Sequence, residues 1–387
     1  MRISFLAKLL TCMLLVFPIA ANALQLNARA AIVVDFETGT VLLERNADTP
    51  LPPASMSKLM TLLVAFEALE EGRLTLSQKL PVSKQAMSYG GSTMFLDTTD
   101  RVAVEDLIRG IIVLSGNDAC VVIAEALSPD GTEEGFARFM TERARQIGMK
   151  NSTFANSNGW PAAGHRMSVR DLATLTERLI NKFPQYYSLF SEKEFGFDGR
   201  APANSRNRNP LLGLGIGADG LKTGHTQEAG YGLVGSAVQG DRRVIFVLSG
   251  MTSTTERATE SEKVVNWSFR QFVERKVADE GTVLAQADVW MGSAASVGLT
   301  AAQDIRVLLP IPLPDQLNAR VEYSGPVQAP IKKGQELGTL VIAREGIEDS
   351  RTPLVADRDV GMAGFIPRLR TSAEVLLRSL NEGAAPQ

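Results

Sequence analysis

Residues 51–72, LPPASMSKLMTLLVAFEALEEG, set two prolines ahead of an apolar series at helical spacing: Met56, Leu59, Met60, Leu63, Phe66 and Leu69. That pattern predicts an amphipathic helix entering the core. Ser55 and Lys58 stand one turn apart at its start and share a face. Upstream, ARAAIVVDFETGTVLLERNAD holds two apolar runs joined by FETG, which predicts a hairpin. Downstream come two short helical patterns, VEDLIRGIIVL and DACVVIAEAL, interrupted by Ser115, Gly116 and Asn117. A third, SVRDLATLTERLINKF, repeats Val169, Leu172, Leu175, Leu179 and Ile180. Beyond the Asn- and Arg-rich loop NSRNRNPLLGLGIGADG, LVGSAV and RVIFVLSG alternate across QGDR as a second strand pair. A last helix, ERATESEKVVNWSFRQFVERK, closes the unit.

Strands, then helices, then strands predict an α/β (α+β) domain, with helices packed on the faces of a largely antiparallel sheet drawn from both chain ends. From about Thr282, short β-branched runs broken by Pro, Gly and Asp predict a small all-β domain. The expected units are residues 24–283 and 284–362, followed by a tail at 363–387. In that tail Phe365, Leu369, Ala373, Leu376 and Leu380 share one face and Arg370, Glu374 and Arg378 another. Two readings fit equally: a helix lying on a membrane surface, or one docked on its own β domain.

The first 23 residues carry Arg2 and Lys8, an apolar run from Leu9 to Ala20 and the triplet Ala21-Asn22-Ala23, the layout of a secretory signal peptide cleaved after Ala23. Cys12 follows Thr11 at the front of the apolar run, which is not a lipoprotein arrangement. Cleavage leaves Cys120 as the one cysteine, read as a buried core thiol. An exported chain without disulfides fits the bacterial envelope.

At 387 residues and 44% hydrophobic the chain suits a large domain with a smaller companion. A net charge of -3 gives no basic footprint for nucleic acid. Only two histidines occur, His165 and His225, and no Cys/His cluster has ligand spacing, so neither a metal cofactor nor a Ser-His-Asp triad is expected. Lys58 supplies another way to activate a serine. An amine one turn from a hydroxyl acts as general base if burial or a neighbouring cation keeps it neutral, and the helix N-terminus favours negative charge near Ser55. An N-capping serine with a solvated lysine matches S-x-x-K equally well when the pattern stands alone.

Two further motifs change that balance. LSGND puts Ser115 and Asn117 in a break between apolar helices, where polar side chains are costly unless they face a cleft. DGLKTGHT sets Lys222, Thr223, Gly224 and His225 ahead of an alternating run, as on an edge strand, with Gly224 expected to let a substrate backbone approach.

Taken in order, S-x-x-K, S-x-N and K-T-G resemble the motif set of penicillin-binding proteins and serine β-lactamases. SGNDACV, NRNPLL, DGLKTGHT and ATESEK further resemble the low-molecular-mass D-alanyl-D-alanine carboxypeptidases, and the β domain and tail match that family's layout. The resemblance implies that Ser55 attacks the penultimate D-alanine of a peptidoglycan stem pentapeptide while Lys58 takes its proton. It implies a relay through Ser115 and Lys222, orientation by Asn117, and an oxyanion held by the backbone N–H groups of Ser55 and His225. Thr223 and Arg257 would bind the terminal carboxylate. Glu256 stands where the family has glycine, so a surface salt bridge competes for Arg257. β-Lactams are the implied inhibitors, and the outer face of the cytoplasmic membrane, in the periplasm, the implied location.

Rival readings are a β-lactamase and a muropeptide-binding envelope protein without turnover. Glu177 and Asn181 match a deacylating-loop spacing but sit late in a helix as a solvated face. Gly213–Gly217 leads into a strand and is no phosphate cradle. His165 reads as a loop residue.

Overall fold

The computed structural model describes residues 24–200 and 202–364. The predicted signal peptide and the tail residues from Phe365 lie outside them. The chain opens with the hairpin β1 (Ala30–Asp35) and β2 (Val41–Arg45), then a 3₁₀ turn, Ala54–Ser57, running into α1 (Lys58–Glu70). A small ribbon, β3 (Lys79–Pro81) and β4 (Arg101–Ala103), flanks α2 (Lys84–Ser88). Helices α3 (Val104–Arg109), α4 (Asn117–Leu127), α5 (Glu133–Gln146), α6 (Val169–Lys182) and α7 (Pro184–Tyr187) follow. Strands β5 (Ala218–Thr226), β6 (Gly230–Gln239) and β7 (Arg242–Met251) lead to α8 (Thr254–Arg270).

One antiparallel sheet, β2-β1-β7-β6-β5, joins the two chain ends as the sequence predicts. All six residues of β1 are buried because both faces are covered. Ala30, Ile32 and Val34 enter a core shared with α1, α4 and α6; Ala31 and Val33 enter a second core shared with α8. The period of two along the strand thus serves two apolar layers.

Two expectations change. Helix α1 is not amphipathic: every residue from Lys58 to Phe66 is buried, because helices and sheet enclose it on all sides. The last helix stops at Arg270, and the expected helical segment QFVERK becomes β8 (Phe272–Ala278). This strand pairs with β11 (Ile305–Pro310), following β9 (Val283–Trp290) and β10 (Ser296–Ala301). Ladder pairing overrides local helical spacing, so the all-β unit gathers chain from Phe272 rather than from 284. It is completed by β12 (Ala319–Tyr323), β13 (Val327–Gln328), β14 (Glu336–Ile342) and β15 (Ser350–Ala356), in the order β12-β14-β15-β10-β9-β13.

The two units are joined through polar contacts. Arg242 donates from Nε (3.2 Å) and Nη2 (2.9 Å) to Asp35 Oδ2, and from Nη1 to the Phe272 carbonyl at 2.9 Å. Both charged side chains are buried. Arg344 donates to Thr40 Oγ1 at 3.2 Å and to the Leu308 carbonyl at 3.1 Å. Leaving one half of a buried ion pair costs about 3–5 kcal/mol, whereas replacing both partners by apolar groups of similar volume is often close to neutral. Asp35→Ala is therefore expected to lower the unfolding midpoint sharply in heat and in urea, and Asp35→Leu combined with Arg242→Met to recover much of the loss.

Candidate active site

The turn carrying Ser55 is held between two glycines. A Cβ on Gly159 would lie 1.9 Å from the Ala54 carbonyl oxygen, and one on Gly224 would lie 2.9 Å from the Pro53 oxygen and 3.1 Å from Met56 Cγ. Gly159 also has φ +82°, a backbone region that favours glycine. The missing Cβ at Gly224 lets the chain's own turn pack against β5, which brings Ser55 alongside that strand.

Lys58, with no exposed surface, projects from the first turn of α1. Its Nζ lies 2.9 Å from Ser55 Oγ, 2.7 Å from Asn117 Oδ1 and 2.6 Å from the Asn158 carbonyl oxygen. Asn117 Nδ2 donates to the Gly90 carbonyl at 2.8 Å, which fixes the amide with Oδ1 toward the lysine. Two acceptors thus take the two N–H bonds of a neutral amine and leave its lone pair for the Ser55 hydroxyl; the protonated form donates to Ser55 instead. Burial, helped by the charge of Arg208, lowers the Lys58 pKa to about 8.

Asn158 sits on a loop fastened from behind by Glu133, a buried carboxylate that accepts from the Ser157 N–H (3.0 Å), Ser157 Oγ (2.6 Å) and Tyr89 Oη (2.8 Å). Across the site, α3 continues through a wide π turn, Gly110–Leu114, that ends on Ser115 in the left-handed conformation, φ 61°. The Ser115 hydroxyl is buried and has no hydrogen-bond partner among the described residues. Such an orphan is unusual in a native interior and marks a group poised for a visiting partner. Asp118, on α4, accepts from the Met94 and Leu96 N–H groups and secures the loop in front.

Lys222 is buried on β5, its Nζ 3.3 Å from the Thr223 carbonyl, and its pKa falls well below the usual lysine value through burial and then the charges of Lys58 and Arg208. Arg257 comes from α8, buried, its guanidinium over the Tyr231 ring at 5.7 Å and Nη2 3.4 Å from the Arg208 carbonyl. Among the described residues no salt bridge forms at Arg257, and Glu256 accepts from Thr252 N and Oγ1. The His225 ring is exposed and stacks at 3.9 Å on Tyr231, the ring that Arg257 covers.

Arg208 escaped sequence reasoning. Of the three arginines between α7 and β5, Arg200 pairs with Asp100 and Arg206 with Glu194, while Arg208 binds the neutral groups Ser92 Oγ (2.7 Å) and Asn204 Oδ1 (2.8 Å). Nothing in that segment's composition ranks the three. The guanidiniums of Arg208 and Arg257 stand beside each other and near the buried amine of Lys222. Glu177 lies on α6, and among the described residues no hydrogen bond joins it to Ser55 or Lys58. Nor does any His/Cys/Asp/Glu group there suit a metal ion. Beside the Ser55 turn runs a narrow cleft of about 10 Å³, lined in part by Trp160, Arg166, Thr226 and Glu228.

A profile of the D-alanyl-D-alanine carboxypeptidase family matches residues 18–253, and one of the penicillin-binding protein 5 C-terminal domain matches residues 272–362. The chain is 38% identical over 358 residues to the D-alanyl-D-alanine carboxypeptidase DacC of Escherichia coli, covering 90% of this chain and 88% of that one. The solved penicillin-binding protein 5 of Haemophilus influenzae superposes with a TM-score of 0.78 at 34% identity, over 88% of this chain and 100% of the other. Penicillin-binding protein D2 of Listeria monocytogenes, solved in its ampicillin-bound form, gives 0.57 at 32% identity over 64% of this chain and 99% of its own.

Because the attacking form needs a neutral amine, reaction of Ser55 with an acylating reagent is expected to rise about tenfold per pH unit below the Lys58 pKa of about 8 and to level off above it. Burying this amine also destabilises the fold at neutral pH: its folded pKa is depressed, so stability rises with pH from about 8 toward the usual lysine value. Lys58→Met should abolish that reaction while the thermal midpoint holds or rises.

Proposed function

The chain belongs to the D-alanyl-D-alanine carboxypeptidase family and is a serine-type carboxypeptidase acting on peptidoglycan; from that premise we propose that Ser55 is its nucleophile and Lys58 its general base. Ser55 Oγ attacks the carbonyl of the penultimate D-alanine, and its proton passes to Lys58 Nζ. The backbone N–H groups of Ser55 and His225 hold the oxyanion. Collapse expels the terminal D-alanine, whose amine takes the proton from Lys58 Nζ by way of Ser115 and Lys222 and so leaves Lys58 neutral; water then attacks the acyl-enzyme, its proton passing to Lys58 and on to Ser55 Oγ as the acyl group leaves.

Thr223, Arg257 and Arg208 receive the terminal carboxylate. The guanidiniums of Arg208 and Arg257, for which no ion pair with a carboxylate forms among the described residues, support this assignment, since they favour an anionic chain end over an internal peptide bond. β-Lactams acylate Ser55 by the same attack. The observation that carries the reading is the contact of the buried Lys58 Nζ with the half-buried Ser55 Oγ at 2.9 Å. A β-lactamase reading finds less support, for lack of a carboxylate base hydrogen-bonded to Ser55 among the described residues. We further read residues 1–23 as an export signal and the tail from Ala363 as a peripheral contact with the outer face of the cytoplasmic membrane.

Release of D-alanine from a pentapeptide mimic should vanish in Ser55→Ala, and intact-mass spectrometry after benzylpenicillin should show an adduct on Ser55 in the native chain alone. Arg257→Ala should lower kcat/KM on the pentapeptide ~10–100-fold, the worth of a charge-assisted hydrogen bond. Removing the residues after Ala363 should move the protein to the soluble envelope fraction with activity on small substrates intact.

A further inference from the structure

His165 is buried behind the site, 2% exposed, and the catalytic steps above do not use it. Its Nε2 lies 2.7 Å from Ser57 Oγ, and the Ala155 backbone N–H donates to its Nδ1 at 3.2 Å. A neutral ring that accepts at Nδ1 carries its proton on Nε2, so the ring donates to Ser57. Burial, then the charges of Lys58 and Arg166, lower its pKa to about 4, which keeps this tautomer at neutral pH. The Phe154 ring meets it edge-on at 5.6 Å and 79°.

The partners on either side matter more than the ring's own environment. Ser57 closes the turn that carries Ser55 and directly precedes Lys58. Ala155 begins the loop whose Ser157 carbonyl accepts from Thr61 Oγ1 at 2.5 Å and whose Asn158 carbonyl accepts from Lys58 Nζ at 2.6 Å. The imidazole therefore ties together the two chain segments that set the amine against the hydroxyl.

We propose that His165 is a positioning residue of this carboxypeptidase, holding Ser55 and Lys58 in attack geometry through the hydrogen bond from its Nε2 to Ser57. The inference rests on the mechanism proposed above. An ordinary core histidine would matter only through overall stability. A positioning histidine matters through the one hydrogen bond that reaches Ser57.

Two amide side chains separate these roles. Glutamine can place an N–H near the Nε2 position, whereas asparagine reaches only as far as Nδ1 and keeps the Ala155 contact alone. The full chain and its Ser55→Ala, His165→Gln, His165→Asn, Ser57→Ala and Ser57→Ala/His165→Asn variants are compared by thermal midpoint, by the rate of Ser55 acylation with benzylpenicillin, and by D-alanine release.

His165→Gln is expected to acylate within about threefold of the native chain. His165→Asn should be slower by about a hundredfold, as for a small misplacement of reacting groups, although the two variants melt alike. The double variant should be no slower than His165→Asn, because both changes break one linkage. Equal rates in the glutamine and asparagine variants, or losses that multiply in the double variant, would overturn the proposal. If asparagine prevents folding, Ser57→Ala alone decides: a loss of tenfold or more at an unchanged midpoint supports it, and a native rate refutes it. A native chain inert to both reagents would overturn the catalytic reading itself, and this inference with it.

Discussion

A lysine with no exposed surface is the constraint around which this fold is organised. Placing an amine inside an apolar helix bundle is unfavourable unless the charge is given up or its protons find acceptors. Asn117 and the Asn158 carbonyl supply those acceptors, and each is held by its own partner, Gly90 for the one and the Glu133-fastened loop for the other. The remaining direction at Nζ points to Ser55. What destabilises the core is thus what leaves a base beside a hydroxyl, an exchange of stability for function of the kind active sites repeatedly make.

Much of this was legible because it is written in contiguous residues. The three motifs each occupy three or four neighbouring positions, and the breaks they sit in, after Pro52-Pro53 and between two apolar helices, follow from local patterning. The hairpins and the sheet order, with strands from both chain ends, are also products of local alternation and turn chemistry. The remainder depends on what lies across space. α1 looked amphipathic because a sequence shows the stripe that repeats, not the neighbours that bury the other faces. QFVERK has helical spacing and forms a strand because β11 is there to pair with it.

The candidate site divides along the same line. Arg208 is one of three similar arginines until Asp100 and Glu194 neutralise the other two. Gly224 reads as a point of close approach, and its bare Cα meets Pro53 and Met56. His165 looked like loop material because its significance lies in a hydroxyl more than a hundred positions away in the chain.

β5 is the outermost strand of its sheet, with β6 on one side and, among the described residues, no strand on the other. An unpaired rim of this kind recognises extended main chain, by the ladder geometry any peptide can offer. Such recognition is blind to most side chains, so discrimination among cell-wall peptides of different chemistry falls to whatever stands where the rim ends. There the chain puts the indole of Trp160 and the ion pair of Arg166 with Glu228 beside Thr226. β5 thus carries the K-T-G motif along its length and ends among surface side chains that no motif records.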